Sequence, residues 1–364
     1  MDGTVRPLMS TIVGELGPSI LRARPEQMIG SKSRMQGKVM SEQSAATDVT
    51  VGIDVCKAWL DVHILPANRV FRVPNTKKGH KQILAAVKDI AVRIIVIEAT
   101  GKHHRSVHRW LHEAGLPVAV VNPLRARLFA ESLGVLAKTD TVDARMLALF
   151  GQMARLAETP PLPKTLENLR EIVRTRDMAV ATKVALQNQL GTATLDAVKK
   201  QIAQQIKSAE RAIDALEVEA KRVVKSDPIL ARRFAILDSI TGVGAVTAIT
   251  LLANMPELGT LDAKQAAMLA GLAPLACESG PRKGPRHIRG GRKNVRTGIY
   301  MAALSAASHN PHLKSFHDRL MDAGKLAKVA LTAVMRKLLV LANTLLKEDR
   351  TWSQHPPIAK PLSA

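Results

Sequence analysis

The chain has 364 residues, of which 53 are Lys or Arg and 31 Asp or Glu, leaving a formal charge of +22. A hydrophobic fraction of 46% excludes wholesale disorder, and a cysteine content limited to Cys56 and Cys277 excludes a disulfide framework or a four-thiolate zinc site. So large a basic excess points to a polyanionic partner, because each phosphate neutralised releases condensed counterions, while an aromatic content of 2% argues against recognition dominated by base stacking.

Residues 1–47 mix Gly, Pro, Ser and Arg without periodicity and read as a disordered leader, with no basic start, apolar block and small-residue cleavage site of a secretory signal. Periodic structure begins only near Asp48, and translation is expected to start at Met40 or Met35. The fold then opens with β-branched strands at Val49–Val55, Trp59–Ile64 and Arg69–Val73, followed by an amphipathic helix over Lys77–Ile90. A buried strand is expected at Arg93–Ile97, a helix at Lys102–Ala114, a strand at Val118–Val121, and helices at Leu124–Ser132 and Val142–Leu156. A three-strand meander followed by alternating helices and strands is the order of a ribonuclease-H-like α/β domain, here 48–158.

Thr159-Pro160-Pro161-Leu162-Pro163 cannot continue a helix and reads as a stiff boundary. Beyond it, 164–226 reads as a helical coiled-coil linker of two long helices, Thr165–Gln189 and Asp196–Lys225. In the second, Ile202, Ile206, Ala209, Ile213, Leu216, Ala220 and Val223 recur at alternating four- and three-residue steps. This seam packs either on its own hairpin or on a second subunit. Residues 227–352 read as an all-α domain with a basic insert over Pro281–Arg296. The uncharged stretch Ser239–Pro256 is interrupted by Gly242, Gly244 and Asn254, which argues against a membrane span. The chain reads as cytoplasmic.

Four acids carry the strongest chemical signal. Asp54 and Glu98 end strand runs, and Asp140 and Asp143 share one face at the start of a helix. Singly each has an ordinary reading as a turn former, strand-end charge or helix-start residue. Together they form a hard oxygen set suited to two Mg²⁺ ions, which stabilise the attacking and leaving oxygens of an in-line phosphoryl displacement. His104, His108 and His112 share a helix face at zinc-ligand spacing, but Lys102, Arg105 and Arg109 crowd them without a completing acid or thiol, so a solvated basic face is expected.

Ile236–Ala245 has the form of a helix-hairpin-helix turn, in which Gly242 and Gly244 let backbone N–H groups face a phosphate; close packing alone would also call for two glycines. Ser279 lies beside Gly280 and ahead of Arg282, Lys283, Arg286, Arg289, Arg292 and Lys293, an acid-free run that would draw in a backbone phosphate. By composition alone Ser279 is an ordinary loop serine.

The ordered blocks Gly52-Ile53-Asp54-Val55, Glu98-Ala99-Thr100-Gly101, Lys138-Thr139-Asp140 with Asp143-Ala144, Gly242-Val243-Gly244, Gly271-Leu272-Ala273-Pro274, Ser279-Gly280, Gly290-Gly291, His309-Asn310-Pro311 and Met335-Arg336-Lys337-Leu338-Leu339 resemble the insertion-sequence family numbered one hundred and ten, bridge-RNA-guided DNA transposases. The resemblance implies a RuvC-like domain whose acid set is Asp54, Glu98, Asp140 and Asp143, a coiled-coil linker used in homo-oligomerisation, and a C-terminal domain with Ser279 as nucleophile. It further implies Mg²⁺ as cofactor, and donor DNA, target DNA and a structured guide RNA as partners. Cys277 and Glu278 stand where small or polar residues are more usual, and the leader has no counterpart. The rival readings are a junction-type nuclease that uses water with the same acids, and a non-catalytic nucleic-acid scaffold.

Overall fold

The computed structural model describes residues 48–99, 101–135, 140–279, 282–284 and 286–353, without the side chains of residues 140, 141, 278, 279, 282 and 283; the leader expected over 1–47 lies outside the described residues. The chain opens with strands β1 (Val49–Val55), β2 (Trp59–Leu65) and β3 (Arg69–Pro74) and helix α1 (Lys77–Val87). β4 (Val92–Glu98), α2 (His104–Glu113), β5 (Val118–Val121), α3 (Pro123–Ser132) and α4 (Asp140–Met153) follow. The sheet has the order β3-β2-β1-β4-β5, antiparallel across β1–β3 and parallel from β1 through β4 to β5. This is the mixed sheet that the element order predicts.

Because side chains alternate across a strand, each face has its own core. Val51, Ile53, Leu60, Val62, Ile95 and Ile97 pack with Ile83 of α1 and Leu111 of α2. On the other face Ile94 and Val96 pack with Ala126 of α3 and Leu147 and Phe150 of α4. Thr50, Gly52 and Asp54 point to this second face: the Thr50 hydroxyl donates to the Ala148 carbonyl at 3.0 Å, and a Cβ placed on Gly52 would lie 2.0 Å from the Ala144 carbonyl oxygen and 2.4 Å from the Ala148 nitrogen. Helix α4 therefore rests on bare backbone at residue 52. The Arg93 guanidinium also donates to the carbonyl of Gly151 near the far end of α4.

Three histidines lie buried in this half, His63, His80 and His108, and burial pushes each below the ordinary imidazole range. His108 corrects the expectation of a solvated basic face on α2. Its Nε2 bonds to the Thr159 carbonyl at 2.6 Å, while Arg109 donates to the Leu162 carbonyl at 2.9 Å. Thr159 itself donates to the Val118 carbonyl at 2.8 Å. The proline segment is thus fastened to β5 and α2.

Helices α5 (Lys164–Thr192) and α6 (Asp196–Ser226) form an antiparallel hairpin, crossed by ion pairs Arg176–Glu217 at 2.8 Å and Lys183–Glu210 at 2.9 Å. In the expected seam Ile202, Ala220 and Val223 are buried and the residues between them half-buried. The root of the hairpin, with Leu166, Leu169, Val173 and Val224, joins the core of α7 (Pro228–Asp238), α8 (Ala245–Asn254), α9 (Ala263–Leu269), α10 (Lys293–His309), α11 (Pro311–Asp322) and α12 (Ala327–Lys347). Helix α12 is long and apolar enough to cross a membrane by length and composition, but Val334, Met335, Leu338, Leu339 and Leu345 are buried in this core.

Two outcomes follow from the packing. Gly52→Ala forces α4 off the sheet and lowers stability by about 3 kcal/mol, read as a urea-midpoint shift; an unchanged midpoint would contradict the close approach. The three histidines hold protons less readily when folded than when unfolded, so their contribution is complete above about pH 6.5 and is lost as pH falls below it. Urea midpoints compared at about pH 7 and about pH 5 check this, and equal values would contradict it.

Candidate functional site

The parallel register of β1 and β4 ends with Ile53 beside Ile97, so Asp54 and Glu98 follow at the C-terminal ends of adjacent parallel strands. Both share the face of Gly52 and Val96 and are half-buried. Helix α4 begins at Asp140 over this end of the sheet, its Ala144–Ala148 turn sitting on Gly52, which brings Asp143 to the same end. Acids in a first helical turn also complement the positive end of the helix dipole. Glu98 and Asp143 line one cleft of about 390 Å³ with Leu124, Arg127, Met146 and Leu147. The side chain of Asp140 lies outside the described residues, and among the described residues no group of three or more His, Cys, Asp or Glu side chains is close enough together to hold a metal ion. Asp54, Glu98 and Asp143 nevertheless offer carboxylate oxygens, the donor type that suits a hard divalent cation rather than zinc or copper.

One further acid was not singled out from sequence. Asp61 of β2 stands directly across from Asp54 and is buried; Arg72 of β3 grips it with both ends of its guanidinium, at 2.8 and 2.9 Å. Two carboxylates facing each other across a strand pair repel, and the Arg72 fork compensates one of them. The signal was present in the predicted meander, where Asp61 and Arg72 fall opposite each other.

Ahead of α10, which begins at Lys293, the basic insert is not helical. β6 (Pro274–Leu275) pairs with β9 (His287–Ile288), and β7 (Glu278–Ser279) with β8 (Arg282–Lys283), both antiparallel. The Gly284 N–H donates to the Cys277 carbonyl between them at 3.1 Å. The segment is thus one ribbon, with Ser279 across from Arg282; the side chains of Ser279, Arg282 and Lys283 lie outside the described residues. Arg286, Arg289 and Lys293 are exposed.

Arg292 departs from the expected acid-free run. Its guanidinium holds Glu257 at 2.7 and 2.8 Å and donates to the Asn254 carbonyl at 2.7 Å. Burial alone would raise the Glu257 carboxyl, but the Arg292 hydrogen bonds hold it below its usual range. Arg292 therefore fastens the ribbon's exit to the helical core rather than presenting a free charge. Its partner is 35 residues earlier in the chain, beyond the reach of local composition.

At the other glycine pair, Gly242 has φ of +102°, and a Cβ there would come 2.5 Å from the Ala306 Cβ. Asn310, fully buried, donates to the Thr241 carbonyl at 3.3 Å and accepts from the Leu313 N–H at 3.2 Å, joining this turn to the start of α11. Gly244 is the exposed N-cap of α8 and carries no side-chain cap. Among the described residues the cleft at Glu98 and Asp143 contains no residue of the ribbon or of this turn.

Residues 51–199 match a family model described as "Transposase", and residues 234–318 match one described as "Transposase IS116/IS110/IS902 family". The chain belongs to this transposase family. It is 26% identical over 317 residues to a pilin gene-inverting protein of Moraxella bovis, covering 84% of this chain and 97% of the relative. It is 27% identical over 162 residues to the insertion element IS116 uncharacterized 44.8 kDa protein of Streptomyces clavuligerus, covering 44% of this chain and 39% of that protein. Among solved structures, T. thermophilus RuvC in complex with a Holliday junction substrate aligns with 15% identity and a TM-score of 0.24, over 31% of this chain and 99% of that one. As a member of this family the protein is a DNA-rearranging enzyme.

Removing Arg72 leaves the Asp61 charge buried beside Asp54. Arg72→Ala should cost about 3 kcal/mol, and adding Asp61→Asn should restore most of it. Equal stability of the single and double variants in urea melts would contradict the compensation.

Proposed function

We propose that this transposase cuts and rejoins DNA strands to excise and insert a mobile element, through a phosphoserine intermediate on Ser279. Asp54, Glu98, Asp140 and Asp143 hold Mg²⁺ in this proposal. The observation that carries it is the common face: strand ends bearing Asp54 and Glu98 lie beneath the start of the helix bearing Asp140 and Asp143. Bound Mg²⁺ would neutralise charge on the reacting phosphate.

The Ser279 hydroxyl attacks a backbone phosphorus, and an O–P bond forms as the bond to the leaving strand oxygen breaks. The serine proton passes to a carboxylate, and the departing oxygen takes a proton from water. A strand-end hydroxyl then displaces serine in the reverse sense, so the phosphodiester is restored without hydrolysis. A relative named for inverting a gene supports rejoining over simple cutting by water, since inversion needs both.

Within one chain the carboxylate cleft has no ribbon residue among those described, which favours a composite site completed by a second copy. In this reading 48–158 carries the acids, the 164–226 hairpin joins copies into a homo-oligomer, and 227–352 carries the serine. The ribbon cations Arg282, Lys283, Arg286 and Arg289, and Lys293 at the start of α10, with the Gly242 and Gly244 turn, grip phosphates. A structured guide RNA pairing with donor and target DNA supplies sequence choice, and the protein works in the cytoplasm at the nucleoid.

Ser279→Ala should bind DNA with unchanged affinity, yet give no covalent complex on a suicide substrate and no recombinant. Asp143→Asn should slow strand exchange at least ~10³-fold, about 4 kcal/mol of barrier. Peptide mapping of the adduct by mass spectrometry decides: an adduct on another residue refutes Ser279, and cleavage at full rate by Ser279→Ala shifts the reading to a water-using nuclease.

A further inference from the structure

Beside the base of the ribbon lies a groove of about 660 Å³ between α9, α11 and α12, with β6 as one wall. Its floor is apolar, built from Met268, Leu275 and Phe316 among others, and its cations are Lys264, Arg336 and Lys337. None of its described lining residues is acidic. Lys264, Arg336 and Lys337 are exposed and make no ion pair among the described residues. The Lys337 ammonium lies 4.2 Å from the centre of the Phe316 ring, and the Arg319 guanidinium lies 5.5 Å from it. Met268 is 53% exposed and Leu275 37%, so the apolar floor is open to water.

We propose that this groove holds an unpaired strand of the DNA substrate, with a base on the exposed Met268 and Leu275 surface and its phosphates on Lys264, Arg336 and Lys337. The occupant follows from the two kinds of surface present. Three uncompensated cations without an acid select an anion. A duplex presents phosphates outward and would leave the floor wet, whereas an unpaired strand offers base faces for the apolar surface and phosphates for the cations.

DNA rather than another polyanion follows from position. From Leu275 of β6, which walls the groove, the chain reaches Ser279 of β7 in four residues, at most about 13 Å. At about 3.4 Å per nucleotide along a stacked strand, the groove lies within about four nucleotides of the phosphate that Ser279 would attack. The inference rests on the proposed role of the ribbon, and it assigns the groove to the strand that becomes unpaired next to the reacting phosphate.

The test compares full-length wild type with Lys264→Gln/Arg336→Gln/Lys337→Gln, after both give matching thermal melts. Binding is measured by fluorescence anisotropy against salt, with a deoxythymidine oligonucleotide and with a duplex. At ~0.7 per phosphate contact on a single strand, the triple variant should flatten the single-strand slope by about 2 and leave the duplex slope unchanged. An unchanged single-strand slope, or an equal fall for the duplex, would overturn the proposal. A photoreactive benzophenone side chain in place of Met268 should cross-link to the deoxythymidine strand; cross-linking to a uridine strand alone would assign the groove to RNA and refute the DNA reading. Arg286→Gln/Arg289→Gln reports separately on the ribbon: if only that pair leaves slopes unchanged, the ribbon's role fails while the groove stands.

Discussion

Helix α4 can reach the sheet only where the strand beneath it has no side chain, and that position is Gly52. A single added carbon would sit 2.0 Å from the helix backbone, far inside van der Waals contact. With the helix seated there, the Thr50 hydroxyl meets the Ala148 carbonyl and Leu147 and Phe150 close the second core. The same seating fixes the direction of α4, so its first turn, with Asp140 and Asp143, falls over the strand ends that bear Asp54 and Glu98. Raising the helix by the width of a methyl group would lift Asp143 from the cleft it shares with Glu98. Backbone packing thereby decides carboxylate placement.

Charge is distributed to the same end. A chain with a net charge of +22 has ample cations to neutralise its own acids, and some are used that way: Arg72 compensates Asp61, and Arg292 compensates Glu257. These pairs hold elements in place, the first within the meander and the second at the exit of the ribbon. The exposed Arg289 and Lys293 on and beside the ribbon, and Lys264 and Arg336 at the groove, are left to face outward. The division between structural and outward-facing cations is set by burial and by the presence of an acid across the fold, which residue type alone does not reveal.

That distinction also marks how far the sequence could be read. The five strands of the sheet were legible because β-branched alternation is a local signal, and the meander followed by parallel strands leaves few topologies. The positions of Asp54 and Glu98 at strand ends followed directly. Helix α4 starts two residues earlier than its periodicity suggested, at Asp140, since polar first-turn residues carry no apolar period. The ribbon was not legible: its paired stretches are two residues long, too short for alternation to register, and its basic composition suits a loop equally well. His108 was misjudged because its partner, the Thr159 carbonyl, is 51 residues away, and Arg292 for the same kind of reason. Long-range pairing of polar groups is the information that a local pattern lacks.

The most direct test of the account is a crystal structure of the chain bound to DNA with Mn²⁺ in place of Mg²⁺, read by anomalous scattering. The account predicts a peak within about 2.1 Å of carboxylate oxygens from Asp54 and Glu98, bordered by Asp143 and by a DNA phosphate. Strong peaks confined to other sites, with the Asp54 and Glu98 carboxylates bonded only to protein cations, would contradict it.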